Sequence, residues 1–398
     1  MTANPFEQAV PVLELIESAG FEAYFVGGSV RDHLLGREIA DVDIATSALP
    51  EELKQIFSKT ADVGIDHGTI LVHHAGNHYE VTTFRAEADY SDFRRPDNVS
   101  FIRSLTEDLQ RRDFTMNAMA MDKDGHIRDP FAGREAIKRR EIVTVGNPDE
   151  RFGEDALRML RAVRFQSQLA FSIEKQTFAS LAVHGHLLQN IAVERKLVEF
   201  EKLLAGPGRK EAIQLLVKSG IYQYLPGLDE RDSQLISFSS HLTTDLKLEE
   251  SWVLLLFELG LAQTEIEDFL RGWKLPLQRI KRYKHIHSLL LNRLDNQWTL
   301  DSIYKAGLEE AICAEKVAAM LRDKCFKPEK LVELYDMLPI KNRQELAVSG
   351  KDVMAWTKKQ PGPWLREVLD NIERSVINGD VSNEKEKIKE WLNASNQK

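Results

Sequence analysis

Near residue 150 the hydrophobic period of this sequence changes, and that change limits the folds open to it. Before it lie short β-rich runs, "AYFVGG", "VDIAT", "GTILVHH", "HYEVTTF" and "NAMAMD", punctuated by Gly, Asp and Asn and interleaved with helical segments. After it, "GEDALRMLRAVRFQSQL", "ERKLVEFEKLLAG", "RKEAIQLLVKSG" and "EESWVLLLFELGL" space apolar residues three and four apart, with Gly or Pro between. The pattern predicts an α/β domain followed by helices alone. At 398 residues the chain exceeds what one core organises, so two or more domains are expected. No internal repeat or low-complexity linker marks their borders, and the closing "SNEKEKIKEWLNASNQK" is polar enough to fray.

With 43% hydrophobic and 29% charged residues, the chain has the make-up of a soluble globular protein. No stretch approaches the roughly 18 uninterrupted apolar residues of a membrane span. The opening "MTANPFEQAVPVLELIESAG" reads as an amphipathic helix, not a signal peptide. A cytoplasmic location without a membrane partner is expected. Cys313 and Cys325 are too few and too isolated for a disulfide framework or a zinc site, and both are expected as buried small hydrophobes. The net charge of -9 argues against general coating of nucleic acid but leaves a local basic groove open.

The chemistry gathers in "FVGGSVRDHLLGREIADVDIAT", Phe25 to Thr46. With "AYFVGG" as strand and "SVRDHLLG" as helix, Gly27 and Gly28 let the backbone turn sharply toward an anion at the helix start. A plain strand-turn-helix with Ser29 as cap fits the same residues. Asp41 and Asp43 carry more information. On a strand, residues i and i+2 share a face, so both carboxylates converge while Val42 and Ile44 turn away. Two such charges repel unless a cation lies between them, and few-ligand carboxylate sites suit Mg2+, which takes its remaining ligands from water and substrate phosphates. Glu80 in "HYEVTTFR" is the candidate third carboxylate; a cross-strand partnership with Arg85 or His78 is its alternative role.

These segments resemble the signature of class II nucleotidyltransferases of the polymerase β superfamily, the group of CCA-adding tRNA nucleotidyltransferases and bacterial poly(A) polymerases. Further motifs are similar to that family's and in its order: "RRDFTMNAM" (Arg111 to Met119) to the ribose-reading segment, and "DPFAGREAI" (Asp129 to Ile137) to the connector. "EDALRMLRAVRF" (Glu154 to Phe165) resembles the base-reading helix and "ERKLVEFEKLL" (Glu194 to Leu204) the helix that braces it. Glu135-Ala136-Ile137 departs from the family's more usual Asp followed by an aliphatic residue. The specific likeness covers residues 24 to 205.

The resemblance implies a polymerase β-like α/β head (residues 1–145), then an all-α neck (146–205), body (206–320) and tail (321–398) in an elongated, multidomain molecule. It implies addition of CCA to the 3' end of tRNA from CTP and ATP with release of pyrophosphate. Asp41, Asp43 and Glu80 would then be catalytic, with Asp41 and Asp43 on Mg2+; Gly28 and Arg31 would hold the triphosphate. Arg112 would hold sugar or phosphates, Arg111 and Asp113 would reach the ribose, and Asp155, Arg158, Arg161 and Arg164 would serve the base. A poly(A) polymerase, a CC- or A-adding enzyme and a non-catalytic nucleotide-sensing RNA binder are the competing readings, and a homodimer is left open.

Laid on one continuous helix, Ala156, Leu157, Met159, Leu160 and Val163 form an apolar arc, with Asp155, Arg158 and Arg161 off it. Asp155 and Arg158 would be an i,i+3 pair on such a helix. Arg164 falls at the arc's edge and needs a partner, protein or ligand. Cytosine and adenine each present an amino donor beside an unprotonated ring nitrogen, so Asp155 can accept from the one while Arg158 donates to the other; uracil and guanine invert both. The loop "AEADYSDFRRPDNVSF" (Ala86 to Phe101) resembles the flexible loop that CCA-adding enzymes carry beside the catalytic site, which favours CCA over CC addition. Two more segments suggest RNA or phosphate contact: the basic "RGWKLPLQRIKRYKHIH" (Arg271 to His287) with Trp273 and Tyr283, and "AVSGKDVM" (Ala347 to Met354). For the last two, a helix face with buried aromatics and a simple N-cap are the competing readings.

Overall fold

The computed structural model describes residues 4–64, 68–88 and 98–395. Among these residues nine short strands precede residue 130: β1 (Ala23–Val26), β2 (Asp43–Thr46), β3 (Thr60–Gly64), β4 (Thr69–His74), β5 (Asn77–Thr83), β6 (Arg85–Ala88), β7 (Asn98–Phe101), β8 (Ala120–Met121) and β9 (Ile127–Arg128). Seven form one sheet in the order β3-β4-β5-β2-β1-β8-β9. Only β2 and β5 run parallel; the other neighbours are antiparallel, and β6 and β7 make a separate ribbon.

Period-two alternation gives the sheet its two faces. Phe25, Ile44, Val72 and Val81 pack beneath it with Ala9, Leu13 and Ile16 of the helix Pro5–Ser18. That helix starts where expected, with Pro5 in its first turn and the Asn4 side chain accepting from the Phe6 N–H at 3.2 Å. The opposite face is packed by Val26, Ala45, Phe84, Ala118 and Ala120. Asp43, the first residue of β2, and Glu80, midway along β5, stay exposed.

Beyond residue 147 the chain is almost wholly helical, apart from the pairing of Ser172–Ile173 with Glu141–Ile142. The helices Leu157–Leu169 and Val193–Ala205, here the neck helix and the bracing helix, approach closely where the latter ends. Ser167 Oγ donates to Leu203 O at 2.6 Å, and Gly208 N–H donates to Ser167 O at 2.8 Å. A Cβ on Gly206 would sit 2.7 Å from Ser167 O, so only glycine fits there.

The chain forms two compact units, Met1–Asp245 with Gly272–Lys274, and Leu246–Arg271 with Leu275–Lys398. The second unit buries Ile303, Leu331, Ile340, Val353 and Ile372 together with Ile388 and Leu392 of its final helix, Lys385–Ser395. Those two anchors keep the polar tail segment helical as far as Ser395. Cys313 is buried on the helix Leu308–Leu321, whereas Cys325 is exposed just after that helix ends, against the expectation for both.

Candidate active site

β1 ends at Val26, and Gly27 takes φ +74°, a conformation that favours glycine. A Cβ at Gly27 would lie 3.2 Å from Arg112 Nη1 and 3.7 Å from Asp43 Oδ2, so the bare turn is what lets backbone, guanidinium and carboxylate meet. Ser29 does not cap the helix Gly28–Leu34; its hydroxyl donates back to Val26 O at 3.0 Å. Arg31, on the same helix, donates to Asn117 Oδ1 at 2.7 Å and grips Asp32 through Nε and Nη2 at 3.0 and 2.8 Å.

Across the open face, the parallel register of β2 and β5 sets Asp43 directly beside Glu80. Strand spacing puts their backbones about 4.8 Å apart. Register thus gives Glu80 Asp43 and Leu71 as neighbours, not Arg85 or His78. The Asp43 carboxyl is held above the ordinary carboxylate range, first by desolvation and then by Glu80, with Asp41 adding and Arg112 opposing. Crowded anionic oxygens that resist ionisation are the donor set a hard divalent cation relieves, so the residues fit such an ion. A different cluster, Asp122, Asp124 and His126, brings its ligand atoms within 4.8 Å of one another. It is a turn between β8 and β9, in which Asp122 Oδ1 accepts from the Asp124 and His126 N–H groups at 3.0 and 2.8 Å.

Behind these carboxylates, Asp108 is buried and takes both Arg111 and Arg112, at 2.9 and 3.2 Å. Burial opposes its ionisation, but the two guanidiniums win and its carboxyl lies below the ordinary range. Asp113 is committed within the protein: Oδ1 accepts from Phe114 N–H and Asn117, and Oδ2 accepts from Arg161 Nε at 2.7 Å. Despite burial, Arg161 and these donors hold its carboxyl at about 2. Asp113 thereby positions Arg161.

The segment expected as one base-reading helix is two. The helix Pro148–Glu154 stops, Asp155 is extended at φ -136° and ψ 101°, and the neck helix begins at Leu157. Asp155 supplies the break itself, since its Oδ1 accepts from Leu157 N–H at 3.0 Å, the competition with helical bonding at which Asp excels. Its Oδ2 accepts from Arg195 of the bracing helix at 2.8 Å, so the i,i+3 pair with Arg158 does not form. Arg158 is buried and donates to Glu154 Oε2 at 2.5 Å and to the carbonyls of Arg151 and Arg111 at 3.1 and 2.9 Å.

Arg164 has the partner its position demanded: Nε lies 2.7 Å from Glu199 Oε2 in a buried ion pair whose geometry is that of a charge contact, not a hydrogen bond. Burial, reinforced by Arg161 and Arg31 and opposed by Glu199, pulls Arg164 down to about 10. The three guanidiniums surround one ring, with Arg31, Arg161 and Arg164 at 5.1, 5.5 and 4.0 Å from the centre of Phe165. Phe165, Arg195 and Glu199 were missed in the sequence; the i,i+4 spacing of Arg195 and Glu199 on one helix was the available signal.

Comparison with known proteins places the chain in a family. The Poly A polymerase head domain matches residues 23–143, the RNA and SrmB-binding site of polymerase A matches 170–231, and tRNA nucleotidyltransferase domain 2 matches 246–392. The CCA-adding enzyme of Geobacillus kaustophilus is 51% identical over 98% of this chain and 96% of its own length. The chain belongs to the CCA-adding enzyme family. The crystal structure of the Bacillus stearothermophilus CCA-adding enzyme in complex with CTP, 48% identical, superposes with a TM-score of 0.92 over 100% of this chain and 98% of that one. The Thermotoga maritima CCA-adding enzyme complexed with tRNA shares the fold at 22% identity, with a TM-score of 0.62 over 96% and 94% of the two chains.

Set against what a CCA-adding enzyme must hold, the other expected RNA contacts fare unevenly. Trp273 is fully buried and stacks on Phe200 at 4.8 Å, and Tyr283 is buried against Trp252 at 6.4 Å. Arg282 meets Glu249 and Glu310 at 2.9 and 2.5 Å, and Arg271 meets Glu267 at 2.7 Å. The aromatics of that basic run are thus core and Arg271 and Arg282 are paired with acids, while Lys274 and Lys281 stay exposed. Ser349 caps the helix Gly350–Thr357 in a capping box with Asp352, the plain role for "AVSGKDVM". Of the Ala86 to Phe101 loop, β6 and β7 form paired legs, while Arg94, Arg95 and Pro96 lie outside the described residues. Among the described residues, no helix is long and apolar enough to cross a membrane.

Proposed function

We propose that this CCA-adding enzyme works in the cytoplasm, extending the 3' end of tRNA by C, C and A from CTP and ATP and releasing pyrophosphate. The observation that carries the reading is the register pair Asp43–Glu80 beside the turn where Gly27 admits Arg112. In this reading Gly28, Arg31 and Arg112 hold the triphosphate, while Asp41 and Asp43, with Glu80 as third carboxylate, hold a divalent cation, Mg2+ on donor chemistry. When bound, that ion neutralises developing charge on the leaving pyrophosphate and favours ionisation of the tRNA 3'-hydroxyl. The head (1–145) does this chemistry and the neck (146–205) selects the base.

For selection, Asp155 accepts from the amino group of cytosine or adenine and Arg158 donates to the ring nitrogen, with Arg161 and Arg164 positioned behind them. Asp155 is held by Arg195 and Arg158 by Glu154, so both are fixed in place before a base arrives. The body (206–320) and tail (321–398) grip the tRNA. A tRNA transcript lacking its 3' terminus, incubated with CTP and ATP, should be sequenced as ending in CCA. A poly(A) end, or a stop after CC with ATP present, would sink this reading. Light scattering at working concentration tests the homodimer.

A further inference from the structure

The open face of the head sheet continues past the catalytic carboxylates into a pocket that the reaction as proposed does not use. Its volume is ≈ 720 Å³, and Ser58, Lys59, Thr60, His73, Asn77 and His78 line it with the Ala75-Gly76 turn. His73 and His78 are register partners on β4 and β5, their rings 4.4 Å apart and nearly perpendicular. Lys59 joins the same rung, its carbonyl accepting from His73 N–H at 3.0 Å. Val72, Tyr79 and Val81 alternate with these residues and are buried beneath the sheet, so His73, His78 and Glu80 share the open face. His78 precedes Glu80 by two residues on one strand, roughly 6 to 7 Å.

The lining supplies an ammonium, two imidazoles and two hydroxyls, the Asn77 amide being committed to Gln8 Oε1 at 3.3 Å, and no carboxylate among the described residues, on a chain whose net charge is -9. Such a set is made for phosphate oxygens, and Lys59 would repel a cation. Position narrows the ligand. In the strand order β4-β5-β2-β1, Glu80 and Asp43 stand between this pocket and the Gly27 turn that follows β1. In-line transfer needs the attacking hydroxyl and the leaving pyrophosphate on opposite sides of the reacting phosphorus. With the triphosphate at Gly28 and Arg31, the pocket lies on the side of the attacker.

We propose that this pocket is a subsite for a backbone phosphate of the tRNA 3' strand, holding the strand so that its terminal hydroxyl faces Asp43 and Glu80. The proposal rests on the assignment of the triphosphate made above. Its test uses the full-length enzyme with tRNA lacking CCA, comparing Lys59→Gln, the exposed-site double change His73→Asn with His78→Asn, and the charge reversal Lys59→Glu, each checked for an unchanged melting curve. The KM for tRNA should rise about tenfold, more for Lys59→Glu, while the KM for CTP stays put. The salt slope of tRNA binding should fall by about 0.7 to 0.9 for Lys59→Gln, one phosphate contact's worth. A neutral methylphosphonate at the last linkages of the tRNA should weaken wild type at one position and add nothing in Lys59→Glu. Unchanged tRNA KM and slope in folded variants, or a rise confined to the KM for CTP, would overturn the subsite while wild-type CCA addition stands. Absence of CCA addition by wild type would instead strike at the function itself.

Discussion

The head and the neck handle charge in opposite ways. On the open sheet face, Asp43 and Glu80 sit side by side with Asp41 nearby, and Asp43 pays for that crowding with a raised proton affinity. In the neck every charge of interest is answered inside the protein: Arg158 by Glu154, Arg161 by Asp113, Arg164 by Glu199 and Asp155 by Arg195. The head is an electrostatically unfinished site that a ligand completes. The neck's pairs are complete without a ligand, as the template of fixed side chains proposed above would require. Removing an acid should therefore do opposite things in the two places.

The largest effect expected is in the head. Asp43→Asn should lower the rate of both C and A addition by about 10³-fold, ~4 kcal/mol of transition-state stabilisation, while tRNA binding by filter assay is retained. The same variant should melt slightly higher than wild type. A carboxyl whose folded-state proton affinity is raised weakens the fold as pH climbs above its unfolded value, so its removal stabilises at neutral pH. Loss of only one nucleotide's addition would argue that Asp43 serves the base.

In the neck, Glu199→Gln should destabilise by about 3 kcal/mol, because it strands the buried Arg164 near Arg161 and Arg31. Urea unfolding of the two proteins measures it, and an unchanged midpoint would show the charge pair to be dispensable. Acid should expose a second neck contact. Asp113 titrates at about 2 in the fold against 3.8 ordinarily, so its stabilisation is complete above pH 4 and is lost as pH falls toward 2. Its share is about 2 kcal/mol, and Asp113→Asn should flatten the pH dependence of the urea midpoint across that window.

The smallest effect is on selectivity. Arg158 also braces two carbonyls, so Arg158→Lys is a better probe than alanine: it keeps the charge and loses the planar fork. UTP incorporation relative to CTP should rise about tenfold, ~1.4 kcal/mol of lost discrimination, in a direct competition on tRNA lacking its 3' end. A CTP preference equal to wild type would make Arg158 purely structural.

The two regions also differed in how legible they were. Strand alternation is strictly local, yet β2 begins only at Asp43, so Asp41 precedes the strand on which both were expected, while the β2–β5 register sets Glu80 beside Asp43 and not beside Arg85 or His78. The break at Asp155 was hidden, because the apolar spacing of Ala156, Leu157 and Leu160 runs on as though one helix continued. What interrupts it is a side-chain cap and an arginine from another helix, neither of which leaves a trace in hydrophobic period. Arg164 announced that it needed a partner but could not say which, since Glu199 is brought to it only by tertiary packing. Trp273 and Tyr283 looked like RNA-stacking residues and proved to be core, since composition alone does not say which way an aromatic points.

The break at Asp155 also bears on how this family can vary. From Leu157 onward Arg158, Arg161 and Arg164 are carried on one uninterrupted spiral, and each added residue would swing everything after it by about 100°. In the reading proposed above, the choice of cytosine and adenine would thus be stored partly as an angular phase, counted from a fixed starting mark. On that reading, a change in the spiral's length between the mark and the last arginine would act like a key cut to the wrong depth.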